Sequence, residues 1–469
     1  MAEMKESELV VVGGGPGGYA AAFLAADKGM QVTLIDAMEK LGGSCLHVGC
    51  IPSKALLHAA KLITDVRDSG PWGLQFANPE IDVDVLRAHW YQIVDKMAQN
   101  LLDLCKRRKV EFIASRATFE DSQTLRLQDG TRRRFKDCVL ATGSSPTRVP
   151  GLGLDSPRVM DSTAALRLEE VPKSLLVVGG GYIGLELGYV YAALGSKVTV
   201  VELTDGLLPG VDRDLVRPLQ GRLSSLFDKI YLGTKVAKIA ETRGGIRATL
   251  EGEEVAEKEP VFERVLVAVG RKPNSHDLGL EHTKAEVGDK GFVKVDEQRR
   301  TADAHIYAIG DVAGEPMLAH KAAHEGKVAV EAIAGEPAAF EPRAIPAVVF
   351  TDPEIAWCGI TEMEARRDKR EVKVARFPWA ASGRAATLGR PEGLTKLLLD
   401  PEAERVLGVG IVGAGAGELI GEGVLAVEMA ASARDLTLII HPHPTLSETF
   451  GEAAETHYGT ATHLLRTRK

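Results

Sequence analysis

Val11-Val12-Gly13-Gly14-Gly15-Pro16-Gly17-Gly18 is answered further along the chain by Val177-Val178-Gly179-Gly180-Gly181-Tyr182-Ile183-Gly184. A single shift of 166 carries the first glycine (13 to 179), the third (18 to 184) and an acidic residue beyond them (Asp36 to Glu202). Glu8 to Asp36 reads as strand, glycine loop, small-residue helix, strand, and Leu175 to Glu202 reads the same way. One such loop is weak evidence, because glycine-rich turns are common. Two in the same context define two βαβ units built to hold dinucleotides. Gly13 permits the tight turn, Gly15 lets the backbone approach a pyrophosphate, and Gly18 lets the helix pack on the strand. The phosphates then meet free N–H groups and the positive end of a helix. Gly179, Gly181 and Gly184 repeat these parts.

Asp36 and Glu202 stand where a carboxylate accepts hydrogen bonds from a ribose diol. A carboxylate there repels a 2′-phosphate, and Leu203-Thr204-Asp205 brings no arginine to receive one. The second unit is therefore expected to take NAD rather than NADP. Between the units, Phe135 to Gly143 reads as a buried strand ending in Thr142-Gly143-Ser144. Val261 to Gly270 repeats the idea with Val269-Gly270, and His305 to Asp311 is a further apolar strand ending in Gly310-Asp311.

The chain has 469 residues, enough for three or four domains with cores that need no disulfide staples. A net charge of −8 argues against nucleic acid as a partner. The run Arg132-Arg133-Arg134 follows an Asp129-Gly130 turn and reads as a solvated strand end. The first residues carry no apolar signal segment and no arginine-rich transit pattern, and no stretch of about 20 apolar residues occurs. A cytoplasmic, bacterial protein without membrane insertion is the expectation, and no metal site is expected.

Of five cysteines, Cys105, Cys138 and Cys358 stand alone in apolar surroundings and read as small buried hydrophobes. Cys45 and Cys50 lie in Gly42-Gly43-Ser44-Cys45-Leu46-His47-Val48-Gly49-Cys50-Ile51-Pro52-Ser53-Lys54. Two structural cysteines near a turn are the plain alternative. On a regular helix, positions five apart are roughly 8–9 Å apart at Cα, and a disulfide wants less than about 7 Å. A bridge therefore requires irregular winding, which Gly49 eases. Lys54, one turn on, favours thiolate. A close pair beside a dinucleotide loop reads as a redox couple.

With that segment the chain resembles the flavin disulfide reductases, in the form of the dihydrolipoamide dehydrogenases. The resemblance spans the whole chain. It includes Ile309-Gly310-Asp311, Met317-Leu318-Ala319-His320, Phe350-Thr351-Asp352-Pro353-Glu354 and His441-Pro442-His443-Pro444-Thr445-Leu446-Ser447-Glu448. It implies an α/β fold with two Rossmann-like dinucleotide-binding domains and an α+β C-terminal dimerisation domain. The expected boundaries are 1–149 (FAD, first part), 150–275 (NAD), 276–345 (central, completing the FAD site) and 346–469 (interface).

It also implies FAD on Gly13, Gly15, Gly18, Asp36, Gly43, Ser44, Thr142, Gly143 and Ser144. Gly310, Asp311, Met317, Leu318, Ala319 and His320 join that site, with Asp311 on the ribityl chain. NAD falls to Gly179, Gly181, Gly184, Glu202, Val269 and Gly270. Lys54 sits near the flavin N5 and pairs with Glu186. Cys50 becomes the thiol beside the flavin and Cys45 the one that meets substrate. His443, oriented by Glu448, becomes the acid–base and comes from the partner of a homodimer. The implied partners are lipoyl domains and the peripheral-subunit-binding domain of a dihydrolipoyl acyltransferase, or the lipoyl protein of glycine cleavage.

The His-Glu pair has its own logic, although a His five residues before a Glu can simply be a helix start. Thiol exchange needs a base near neutral pKa, and a carboxylate on the far ring nitrogen fixes the tautomer. Glu448 is expected to open the last helix, His441 to be structural, and His443–Pro444 to be cis. Ser44, His47, Pro442, Asp36 and Tyr182 depart from the family's usual residues. Glutathione reductase is disfavoured by Glu202 and by Ile51-Pro52-Ser53. Mercuric and large thioredoxin reductases are disfavoured by a tail without a cysteine pair. A non-catalytic subunit on the same frame is the reading from another class, and it fits poorly with a full set of chemical residues.

Overall fold

The computed structural model describes residues 4–152 and 156–465. The first three and last four residues, on which the readings of the two termini partly rest, lie outside the described residues.

The apolar run of the first unit forms a strand, Met4–Val12, at the centre of the first sheet. Val32–Asp36 lies parallel on one side and Arg132–Leu140 parallel on the other. Glu111–Ala114 extends it beyond Val32–Asp36. Thr124–Leu127 and Ala117–Asp121 add an antiparallel edge. Leu9, Val10, Val11, Cys138, Val139 and Leu140 are fully buried, which is why these strands read as unbroken apolar runs. The second unit repeats the plan. Ser174–Val178 is flanked in parallel by Lys197–Val201 and Arg264–Val267. The expected strand from Val261 breaks into Val261–Phe262 and Arg264–Val267, which join different sheets.

The stretch after residue 276 brings little sheet of its own. Its strand Ile306–Ala308 returns to pair with Cys138 to Leu140 of the first sheet, and its helix Ala319–Ile333 packs on the first helix, Pro16–Asp27. With that stretch counted with the first sheet to which it returns, the remainder from residue 346 on is the third domain, a five-stranded antiparallel sheet covered by helices, among them Ala416–Glu428 and Glu448–Tyr458. Among the described residues no helix is long and apolar enough to cross a membrane.

The arginine run does open a strand, Arg132–Leu140, with Arg132 and Arg134 exposed, but Arg133 is not solvated: it is buried with a bidentate pair to Glu111 (2.8 and 2.9 Å). Alternation along the strand turns the middle arginine inward, where it needs a carboxylate.

The second and third units are locked by a charged knot. Lys396, fully buried on the strand Leu394–Leu399, donates to Asp212 (2.7 Å), Asp214 (2.7 Å) and Glu362 (3.0 Å). Asp212 also accepts the amides of Glu362 and Met363 (both 3.0 Å) at the start of the helix Glu362–Arg367. The three carboxylates approach as metal ligands do, but the ammonium fills the space between them. Lys396→Met leaves buried carboxylates without their cation and is expected to cost about 3–5 kcal/mol, read as a lower midpoint in chemical unfolding.

Candidate active site

The two glycine loops close in the same way. Gly13 has φ +113° and Gly179 φ +109°, so both turns need glycine. A Cβ on Gly13 would lie 2.2 Å from the Ala141 carbonyl oxygen, and one on Gly18 would lie 1.7 Å from the Gly13 carbonyl oxygen. The acidic residues do more than await a ribose. Asp36 accepts the amide of Gly14, and Glu202 accepts the amide of Gly180 at 2.6 Å. Glu202 further accepts the amide and hydroxyl of Thr204, both at 2.8 Å. Each carboxylate therefore holds its own loop in shape.

A cavity of about 350 Å³ opens over the first loop. Gly13, Gly15, Asp36, Gly43 and Ser44 line one end; Cys45, Cys50, Lys54 and Glu186 line another stretch of wall. Thr142, Gly143, Ser144, Gly310, Asp311, Met317 and Ala319 complete the expected residues found there. Gly18 lies beneath the loop, and Leu318 is not on the wall. His320 points elsewhere, its Nε2 on the Pro346 carbonyl oxygen (2.8 Å). Gly179, Gly181, Gly184, Glu202, Val269 and Gly270 lie outside this cavity, but Tyr182 and Ile183 of the same unit line it. A Cβ on Gly43 would come within 2.6 Å of the Gly15 Cα, so two backbones form a narrow cradle. A cavity lined by the glycine loop, two thiols and an ammonium fits FAD.

Sequence reasoning did not find Arg271, whose Nε donates to Ser144 Oγ (2.7 Å) while Ser144 Oγ donates to Asp311 (2.6 Å). It also missed Glu325, fully buried, which accepts the Gly310 amide (2.6 Å) and is paired with Arg299 and Lys321 (both 3.0 Å). Charged residues four apart on a buried helix face, Lys321 and Glu325, were the available signal.

The thiol segment is two helices, Gly43–Val48 and Cys50–Arg67, broken at Gly49 (φ −147°, ψ −115°). The break supplies the irregular winding that the cysteine spacing requires. The thiols are unbridged. The neighbouring Cys50 raises the Cys45 pKa, with burial adding to it. The neighbouring Cys45 lowers Cys50 to about 7 against desolvation, helped by the Lys54 charge and opposed by Glu186. Cys50 is thus the more readily ionised thiol of the pair. Lys54 Nζ donates to Glu186 at 2.9 Å.

His443 and Glu448 stand apart from this cavity. His443 Nδ1 lies 2.8 Å from Glu448 Oε1, and the Thr445 amide donates to the other oxygen (2.8 Å). A carboxylate only accepts, so Nδ1 carries the proton and Nε2 is free to exchange one. Burial works against the Glu448 carboxylate, but the Thr445 amide and His443 outweigh it and hold its pKa low. The His443 side chain is 74% exposed. The His443–Pro444 bond is cis, and Glu448 opens the last helix. His441 is nearly buried and pairs with Glu422 (2.8 Å). Cys105, Cys138 and Cys358 are buried.

Two nucleotide loops and a thiol pair set between them define a nucleotide-linked disulfide oxidoreductase. Residues 7–326 match the pyridine nucleotide-disulphide oxidoreductase family, and 345–454 match its dimerisation domain. The chain belongs to this family. It is 46% identical to a dihydrolipoyl dehydrogenase of Haemophilus influenzae (99% of this chain, 98% of that one). It is 44% identical to one of Thermus scotoductus (98% and 100%). Among solved structures, LpdA of Mycobacterium tuberculosis superposes with a TM-score of 0.88 at 27% identity (97% and 99%). A HOCl-induced flavoprotein disulfide reductase of Escherichia coli gives 0.85 at 27% (97% and 100%). The chain is thus a flavoprotein disulfide oxidoreductase that uses FAD and NAD, and its dimerisation domain supports a homodimer.

Gly13→Ala combines a forbidden φ with the clash on Ala141 and is expected to weaken flavin binding about tenfold or more, at ~1.4 kcal/mol per decade. The check is bound flavin per protein after gel filtration. Gly221→Ala, in a helix where a Cβ meets nothing within 4 Å, should keep its flavin.

Proposed function

We propose that the chain oxidises dihydrolipoamide to lipoamide, with Cys45 and Cys50 as the exchanging couple and NAD as the final acceptor. The observation that carries this is the placement of an unbridged thiol pair in the wall of the cavity, with the Lys54 ammonium, anchored on Glu186 at 2.9 Å, in the same wall. In the oxidised couple, a substrate thiolate attacks Cys45, breaking the Cys45–Cys50 bond and leaving Cys50 as thiolate. The second substrate thiolate then attacks its own sulfur in the mixed disulfide and releases Cys45. His443, with Nε2 free, takes the protons the substrate thiols lose, and Glu448 stabilises the imidazolium. FAD would be held by the first glycine loop, Asp36 and Asp311 and would supply the two-electron redox chemistry that links the Cys45–Cys50 dithiol to NAD. Glu202 and the second loop hold the NAD ribose.

His443 is exposed and stands away from its own chain's cavity, which favours action on the thiols of a second copy. Lipoyl domains and the peripheral-subunit-binding domain of a dihydrolipoyl acyltransferase, or the glycine cleavage lipoyl protein, are the fitting macromolecular partners. A reducing cytoplasm suits the open thiol pair.

In a visible absorption titration, dihydrolipoamide should add a long-wavelength thiolate–flavin band to the yellow spectrum, and NAD should remove it. Bleaching by NADPH and not by dihydrolipoamide would move the function to another disulfide. His443→Gln is expected to lower kcat/KM for dihydrolipoamide by about 10²–10⁴-fold in a steady-state assay of NADH formation.

A further inference from the structure

Glu186 is 3% exposed, and its partners come from two other parts of the chain. Its Oε2 accepts Ser53 Oγ (3.0 Å) and Lys54 Nζ (2.9 Å), both from the helix Cys50–Arg67. Its Oε1 accepts the backbone amide of Phe350 (3.0 Å), a residue just past the strand Ala347–Val349 of the third domain. The Phe350 ring lies under the same ammonium, with Lys54 Nζ 4.4 Å from the ring centroid. One residue of the third domain therefore grips both members of the Lys54–Glu186 pair, the carboxylate through its amide and the ammonium through its ring face.

The ring face is negative and attracts a cation placed over it, most strongly where water is partly excluded. The Lys54 side chain is 34% exposed, so without the ring its flexible stem has solvent to move into. The groups that face Cys50 are Cys45 from the preceding helix, Lys54 from its own helix and Glu186 from the helix Tyr182–Leu194. Tyr182 of that same helix and Tyr19 of the first helix add neutral phenols nearby. Lys54 is the only cation in that set, and its position decides how much of its charge Cys50 feels.

We propose that Phe350 is a positioning residue for the redox couple: its ring holds the Lys54 ammonium, and its amide fixes the carboxylate with which Lys54 pairs. This rests on the reading of Lys54 as the cation that supports the Cys50 thiolate. It makes the third domain part of the electrostatics of the thiol site as well as of chain association. The ring role and the amide role separate cleanly, because every side-chain replacement except proline keeps the amide.

The test uses the dithionite-reduced holoenzyme and iodoacetamide, with alkylation of Cys45 and Cys50 read peptide by peptide by mass spectrometry across pH. It needs no lipoyl substrate, so its outcome is independent of which disulfide the enzyme serves. Phe350→Leu keeps bulk and amide but loses the ring face, and the lower apparent pKa of the pair should rise by about half a pH unit. Phe350→Tyr keeps a ring and should titrate as the parent does. Phe350→Met replaces the leucine variant if that one loses flavin. Lys54→Met should raise the midpoint further than either. A parental midpoint in Phe350→Leu with a raised one in Lys54→Met overturns the role of Phe350 and leaves that of Lys54 standing. An unmoved midpoint in Lys54→Met overturns both. Equal rises in the leucine and tyrosine variants assign the effect to shape and overturn the ring's role.

Discussion

A buried carboxylate is tolerable only when its oxygens are fully engaged, and Glu186 meets that condition by drawing three parts of the chain together. Ser53 and Lys54 reach it from the thiol helix, Phe350 reaches it from the third domain, and Glu186 itself is on the helix of the second glycine unit. If any of these segments is misplaced, a charge is stranded in the interior. The relative placement of the units is therefore a condition for Glu186 to be buried at all. The thiol pair sits at that junction, so its environment is set by the same contact that orders the domains.

The paired glycine units show how one solution serves two ligands. The repeat runs deeper than the glycines. Leu41 packs where a Cβ of Gly14 would stand, and Leu207 packs where one of Gly180 would stand, at the same shift of 166 (41 to 207). The amides of Gly42 and Leu208 both return to the second glycine's carbonyl at 2.9 Å. The units differ in what lies over them. The thiol helices and the Gly310-Asp311 turn enclose the first loop, whereas the second lies outside the cavity and sends the first turns of its helix, Tyr182, Ile183, Glu186 and Leu187, into the wall.

Much of this was legible because it is local. The βαβ units, the irregular helix at Gly49, the His443–Glu448 pair and the buried single cysteines follow from neighbours within a few tens of residues. What escaped reading is non-local. Lys396 meets Asp212 across 184 residues, and Phe350 meets Glu186 across 164. Arg133 reads as surface in a run of three arginines, and only strand alternation against Glu111 turns it inward. His320 shows what a motif position leaves open: its ring goes to the carbonyl of Pro346, a partner 26 residues away that the motif does not name. Charge patterns in a sequence carry no mark of which partner they will meet.

The return of the strand Ile306–Ala308 to the first sheet has a consequence for how the chain is made. One edge of Cys138-Val139-Leu140, all fully buried in the finished protein, is covered only by that strand. During synthesis, residue 306 leaves the ribosome 166 residues after residue 140. At ~5–20 residues per second that interval is roughly 8–33 s. Throughout it the nascent first domain presents a short, apolar, unpaired parallel edge, the kind of surface that invites foreign strands. The span of chain that intervenes is the whole second nucleotide unit, which can fold on its own sheet while the first waits for its last strand.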